Sequence, residues 1–232
     1  MDSLLSLGQN AVYLVARCHG RLTNMQEVHL FVLDGMADWE PGFAIAAINR
    51  PWPGMSSGFN VRTVGQDKTP VRSMGGLTIV PDLSLCEISP SGSAMLILPG
   101  ADAWSDGSTD SVLSMAREFV AAGVPLAAIC GATFGLARAG LLDDRLHTSN
   151  DPGWLASSGY GGAAHHVDEL AIDDRGVITA SMTGSLEFAR LILARLGIFS
   201  SSAREAWYGL YKTGNPACYV ELMGALAHGQ NG

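Results

Sequence analysis

Val-Pro-Leu-Ala-Ala-Ile-Cys-Gly-Ala-Thr-Phe-Gly-Leu-Ala-Arg-Ala-Gly, residues 124–140, is where the fold declares itself. A short apolar run ends in one cysteine, Cys130; small residues follow at once, and then a helical pattern. The run reads as a buried strand entering a helix, with a thiol at the turn. That placement exposes the sulfur at the carboxyl edge of a sheet, beside a helix N-terminus. The unpaired N–H groups there favour negative charge and hence a thiolate. The same strand-turn-helix arrangement underlies the nucleophile elbow of hydrolases, in which small flanking residues permit a tight, strained turn. The competing reading is an ordinary buried core cysteine.

Working outward, residues 28–33 read as a buried strand that leads through Asp34–Glu40 into a helix over about 40–49. Pro41 fits the first turn of that helix, where its missing N–H costs nothing. A second strand follows at 59–64, then short extended pieces at 71–73 and 78–80 around Gly75-Gly76. Residues 94–98 form a central strand ending in Pro99-Gly100, and 109–122 an amphipathic helix stopped by Gly123. After the Cys130 helix (131–139) come an expected strand at 145–149 and strands at 168–172 and 177–180. Helices are expected at 186–196, 203–212 and 219–227. Strands alternating with helices indicate an α/β fold with a mostly parallel sheet covered on both faces. Ligand sites in such folds lie outside the carboxyl ends of the strands. Three loops meet that requirement: Asp34–Glu40, Pro99–Trp104 and Cys130–Thr133.

The chain's 232 residues suit one domain over 25–232, with residues 1–24 as an extension kept out of the fold argument. Leu4-Leu5-Ser6-Leu7 is short and follows acidic Asp2, so the extension does not fit a signal peptide. A net charge of −8 with scattered Lys and Arg gives no electrostatic footprint for nucleic acid. No apolar stretch reaches membrane-spanning length. Cys18, Cys86, Cys130 and Cys218 are widely separated, with no C-x-x-C pair and no Cys/His cluster of zinc spacing, so neither metal nor cofactor is expected. Free thiols favour a reducing cytoplasm.

Glu40 is the second candidate for chemistry. A carboxyl lying over the Cys130 sulfur would be protonated beside a thiolate, because adjacent negative charges repel. It could donate to the sulfur, or hold an oxygen of a sulfinate. Otherwise Glu40 is a solvated or helix-capping group. The backbone N–H groups of Gly100 and Ala101 could join that of Gly131 in an oxyanion pocket; otherwise they belong to an ordinary strand-ending turn. A thiol hydrolase also calls for a base near the sulfur. His147 is a possible base, on a strand that could turn its side chain either way. His165 and His166 read as surface residues of a glycine-rich loop, and His19, His29 and His228 are given no role. Trp39 and Trp104 could wall a pocket, with packing as the default reading.

Taken together, Val32-Leu33-Asp34-Gly35-Met36-Ala37-Asp38-Trp39-Glu40, Leu96-Ile97-Leu98-Pro99-Gly100-Ala101, Ala128-Ile129-Cys130-Gly131-Ala132-Thr133, and Ile178-Thr179-Ala180 through Glu187-Phe188-Ala189 resemble the ThiJ/PfpI superfamily, within the class I glutamine amidotransferase-like fold. With Gly75-Gly76 to Pro81-Asp82 they span about 28–198 in the expected order. The Asp-Trp-Glu segment looks most like the bacterial intracellular protease/amidase-like branch. The resemblance implies a flavodoxin-like three-layer sandwich and a homodimer. It places the reactive cysteine at Cys130, the family's glutamate at Glu40 and the oxyanion donors at Gly100, Ala101 and Gly131. It implies a cysteine-dependent enzyme on a small carbonyl or amide substrate, of amidase, glyoxalase or deglycase type; the alternative is a redox or stress-response protein that senses oxidation at Cys130, without turnover. Two departures stand out. Protease-like members carry His directly after the cysteine, where this chain has Gly131, and another group supplies a His at the position of Asn150. The tail also lacks the His-x-Glu of true glutamine amidotransferases.

Overall fold

The structure, a computed structural model, describes residues 25–229, so the extension expected over 1–24 lies outside the described residues. β1 (Gln26–Phe31) runs into a loop and then α1 (Trp39–Asn49), and the chain returns as β2 (Phe59–Gly65), parallel to β1. A small antiparallel hairpin, β3 (Val71–Arg72) and β4 (Thr78–Ile79), turns at Gly75-Gly76. It is strapped to the loop after β1: Gly35 N–H donates to the Arg72 carbonyl and Met74 N–H to the Met36 carbonyl, each at 2.8 Å. A two-residue edge strand, β5 (Leu83–Ser84), was not expected from the sequence; its short length carries no periodicity to read.

β6 (Met95–Leu98), α2 (Asp110–Ala121), β7 (Leu126–Ile129) and α3 (Gly131–Arg138) form the centre of the molecule. All eight residues of β6 and β7 are fully buried, as strands with parallel neighbours on both edges and helices on both faces must be. The register is level, with Leu30 beside Ile97 and Ile97 beside Ala127. A short α4 (Pro152–Ala156) precedes the antiparallel pair β8 (Ala171–Asp174) and β9 (Val177–Ala180). The turn between them puts Arg175 and Gly176 at positive φ, the conformation that matches strand twist. The chain ends in α5 (Ser185–Arg195), α6 (Ser201–Thr213) and α7 (Pro216–Gly229).

The main sheet has seven strands in the order β5-β2-β1-β6-β7-β9-β8, parallel except for β8. α1 packs on α5, α5 on α6 and α6 on α7, while α2 and α3 lie against β7 on the other face. This is the flavodoxin-like three-layer α/β sandwich. No helix among the described residues is long and apolar enough to cross a membrane.

The stretch at 145–149 corrects the sequence reading. It is not a strand; it makes only an isolated bridge between His147 and His166. Side chains replace the ladder on either side of that bridge: Leu146 N–H donates to Asp174 Oδ2 at 2.7 Å, and Thr148 N–H to Thr179 Oγ1 at 2.9 Å.

Candidate active site

β7 and α3 meet at Cys130, whose backbone lies at φ +56° and ψ −124°. A side-chain-bearing residue adopts such a conformation only where its surroundings over-determine it, at a cost on the order of 1–3 kcal/mol. Here Cys130 N–H donates to the Ala180 carbonyl at 2.9 Å, and its own carbonyl accepts from Thr133 N–H at 3.0 Å and Thr133 Oγ1 at 2.6 Å. Thr133 Oγ1 is in turn 2.6 Å from Ser149 Oγ. The turn is thus fixed from both sides and leaves the sulfur half-buried rather than sealed in the core.

Glu40, in the first turn of α1, is fully buried. Its Oε2 accepts Gly100 N–H at 2.5 Å. Oε1 is buried with no partner in hydrogen-bond geometry. Gly100 explains the closeness of the acid to the thiol. A Cβ there would stand 2.7 Å from the Cβ of Cys130 and 2.7 Å from Glu40 Oε2, so any side chain would drive the two apart. A similar limit holds at Gly131, where a Cβ would fall 2.4 Å from the Ala101 carbonyl oxygen and 3.1 Å from its nitrogen. The histidine that protease-like members carry after the cysteine has no room at this position.

Asn150 completes the surroundings of the sulfur: its Nδ2 donates to Cys130 Sγ at 3.2 Å. The cavity above has a volume of about 440 Å³ and is lined by Glu40, Gly100, Ala101, Asp102, Cys130, Gly131 and Asn150, with Trp39, Trp104, Trp154, Met74 and Met182 among its walls. Trp104 is held by a 2.8 Å bond from Nε1 to the Pro99 carbonyl, and Trp154 lies against Phe134 with ring centres 4.9 Å apart.

Burial raises the Glu40 carboxyl to about 7, against the pull of Gly100 N–H and the Cys130 thiol. Burial also pushes the Cys130 thiol up to about 11; Asn150 and Gly131 N–H draw it down, and the Glu40 charge adds to the rise. This corrects the expectation of a resting thiolate. Loss of water around the sulfur outweighs the donors at the start of α3, so the thiol carries its proton at neutral pH.

The structure brings Glu40, Gly100, Ala101, Cys130 and Gly131 to one cavity. It gives Gly100 N–H to Glu40, however, and not to the space above the sulfur. It does not bring His147 there. His147 is fully buried, its Nδ1 bonds to the Arg145 carbonyl at 2.9 Å and its Nε2 to the Tyr160 hydroxyl at 2.9 Å. A carbonyl only accepts, so Nδ1 bears the proton and Nε2 accepts from Tyr160. Among the described residues no histidine lines the cavity, and no group of His, Cys, Asp and Glu is arranged to hold a metal ion. The contact that sequence reasoning missed is that of Asn150. Its one signal was its occupancy of the position at which the resemblance expects a histidine in one group.

The DJ-1/PfpI family model matches residues 26–195. A Bacillus subtilis protein named "Uncharacterized protease YoaZ" is 36% identical over 205 residues, 87% of this chain and 98% of that protein. Among solved structures, a thiJ/pfpI family protein from Bacillus anthracis is 35% identical with a TM-score of 0.80, covering 86% of this chain and 96% of that one. A DJ-1 superfamily protein from Agrobacterium tumefaciens is 32% identical with a TM-score of 0.70, covering 81% and 97%.

Proposed function

The chain belongs to the DJ-1/PfpI family, and from that premise we propose that it is a cysteine-dependent enzyme acting on a small carbonyl or amide substrate, of amidase, glyoxalase or deglycase type. One observation carries this reading: a fully buried carboxyl with an unpartnered oxygen lies beside a half-buried thiol held in a strained turn, at a cavity of about 440 Å³. That volume falls in the range of small-molecule sites.

The Glu40 carboxylate takes the thiol proton, and the sulfur electron pair forms a bond to the substrate carbonyl carbon. The C=O π pair moves onto oxygen, and the backbone N–H groups of Ala101 and Gly131 are the donors assigned to it in this reading. With an amide, Glu40 gives its proton to the leaving nitrogen as the C–N bond breaks, then takes one from the water that releases the acyl group from sulfur. With an aldehyde or ketone, Glu40 returns the proton to the oxygen. Gly100 N–H serves by orienting Glu40.

Small amides and 1,2-dicarbonyls are the test substrates. Cys130→Ser and Glu40→Gln are each expected to abolish turnover, and wild-type kcat/KM is expected to rise with pH through about 7 as Glu40 becomes a base. Unchanged turnover in Cys130→Ser overturns the reading. Absence of turnover in the wild type would leave the oxidation-sensing alternative, whose mark is selective gain of two oxygens at Cys130 under mild peroxide.

The compartment and assembly belong to the same proposal. Cys86, Cys130 and Cys218 are free thiols, which supports a reducing cytoplasm. Light scattering on the full chain at micromolar concentration is expected to give the mass of two chains; the mass of one removes the homodimer.

A further inference from the structure

Asn150 lies in the irregular stretch before α4, and its amide is held at both ends. Oδ1 accepts the Met182 backbone N–H at 2.8 Å. Nδ2 donates to Cys130 Sγ at 3.2 Å. The roll of the amide is therefore decided, since a flipped amide would set donor against donor at Met182. A carboxamide NH₂ is a donor without a basic lone pair, so it can neither accept the thiol proton nor share it. The sulfur's own hydrogen must point elsewhere, and the unpartnered acceptor beside it is Glu40 Oε1. Glu40 and Asp102 are the carboxyl groups lining this cavity with Cys130. Glu40 is the one whose charge acts on the thiol.

We infer that Asn150 stabilises the Cys130 thiolate and steers its proton onto Glu40, occupying a place from which a histidine would compete for that proton. This rests on the reading of Cys130 as the nucleophile. In the step assigned here the S–H bond breaks, the proton passes to a Glu40 carboxylate oxygen, and the electron pair stays on sulfur facing the Asn150 N–H. The thiol proton, and later the proton of the attacking water, both pass through Glu40.

The assignment can be tested without any substrate. Cys130 of the full chain is alkylated with iodoacetamide at pH 9 and the modified peptide quantified over time, with exposed Cys86 as internal reference. Asn150→Asp keeps the shape of the side chain, and its carboxylate can still accept the Met182 N–H but offers no donor to sulfur. Asn150→Ala removes the side chain beyond Cβ. Asn150 is exposed, so both variants are expected to fold, and a thermal melt verifies this. Loss of one charge-directed hydrogen bond is expected to slow Cys130 alkylation about tenfold in both, with Cys86 unchanged. Truncation alone would open the sulfur to reagent and speed the reaction, so slowing in Asn150→Ala reports the lost donor. A rate equal to or faster than wild type in both folded variants overturns the inference. The two readings fail separately: slowed alkylation in a protein whose turnover ignores Cys130→Ser would sink the enzyme, and an unslowed rate in a protein that needs Cys130 would sink the role of Asn150.

Discussion

At the scale of single residues, the site is governed by where water has been removed. Glu40 is an acid held in a fully buried place by one amide donor, and its carboxyl rises from the ordinary 4.5 to about 7. A raised acid stabilises the folded state below its unfolded value and loses that contribution as pH climbs through the folded one. The wild-type protein should therefore weaken between about pH 4.5 and about pH 7 by ~3 kcal/mol from this group alone. Glu40→Gln preserves the acceptor for Gly100 N–H and cannot ionise. Urea unfolding at pH 5 and pH 8 should show the variant near wild type at the lower pH and clearly more stable at the higher. Equal stabilities at both would mean that the carboxyl is solvated in the folded chain. The same substitution that stabilises the fold should abolish turnover, which would mark the buried acid as retained for chemistry.

At the scale of elements, much of the site was legible because it sits where regular structure stops. Cys130 and Glu40 could be read because each follows a buried strand and opens a helix, and hydrophobic periodicity locates such junctions well. Gly100 and Gly131 were legible as small residues at those junctions, but what they leave room for was not. Only coordinates show that a Cβ at Gly131 would strike the Ala101 carbonyl and that one at Gly100 would part Glu40 from Cys130. Nor does sequence say where a backbone N–H points, so Gly100 was expected over the substrate and donates to the acid instead. His147 and Asn150 lie in a stretch whose backbone partners include side chains of two distant residues, Asp174 and Thr179. Local pattern carries no trace of such contacts, which is why a strand was expected there. For the same reason the histidine that faces Tyr160 could not be told from one facing the sulfur.

At the scale of the whole molecule, the site exists because parallel strands end together. β1, β6 and β7 are neighbours in level register, so the loops that carry Glu40, Gly100 and Cys130 leave one edge of the sheet at one height. The precision of the site is thus inherited from a core in which Ile97 is fully buried between Leu30 and Ala127. Ile97→Ala removes apolar volume from the middle of that layer, at a position that does not itself line the cavity. Loss of a buried side chain of this size costs ~2–5 kcal/mol, the spread reflecting how far the neighbours can close the gap. Denaturant unfolding should show the midpoint falling accordingly. Well below the new midpoint the strand ends stay paired by their backbone ladders, so Cys130 alkylation should proceed at the wild-type rate. If alkylation changed in step with the lost stability, the geometry at the sulfur would depend on side-chain packing deep in the sheet, and the strand ladders alone would not be what holds Glu40 against Cys130.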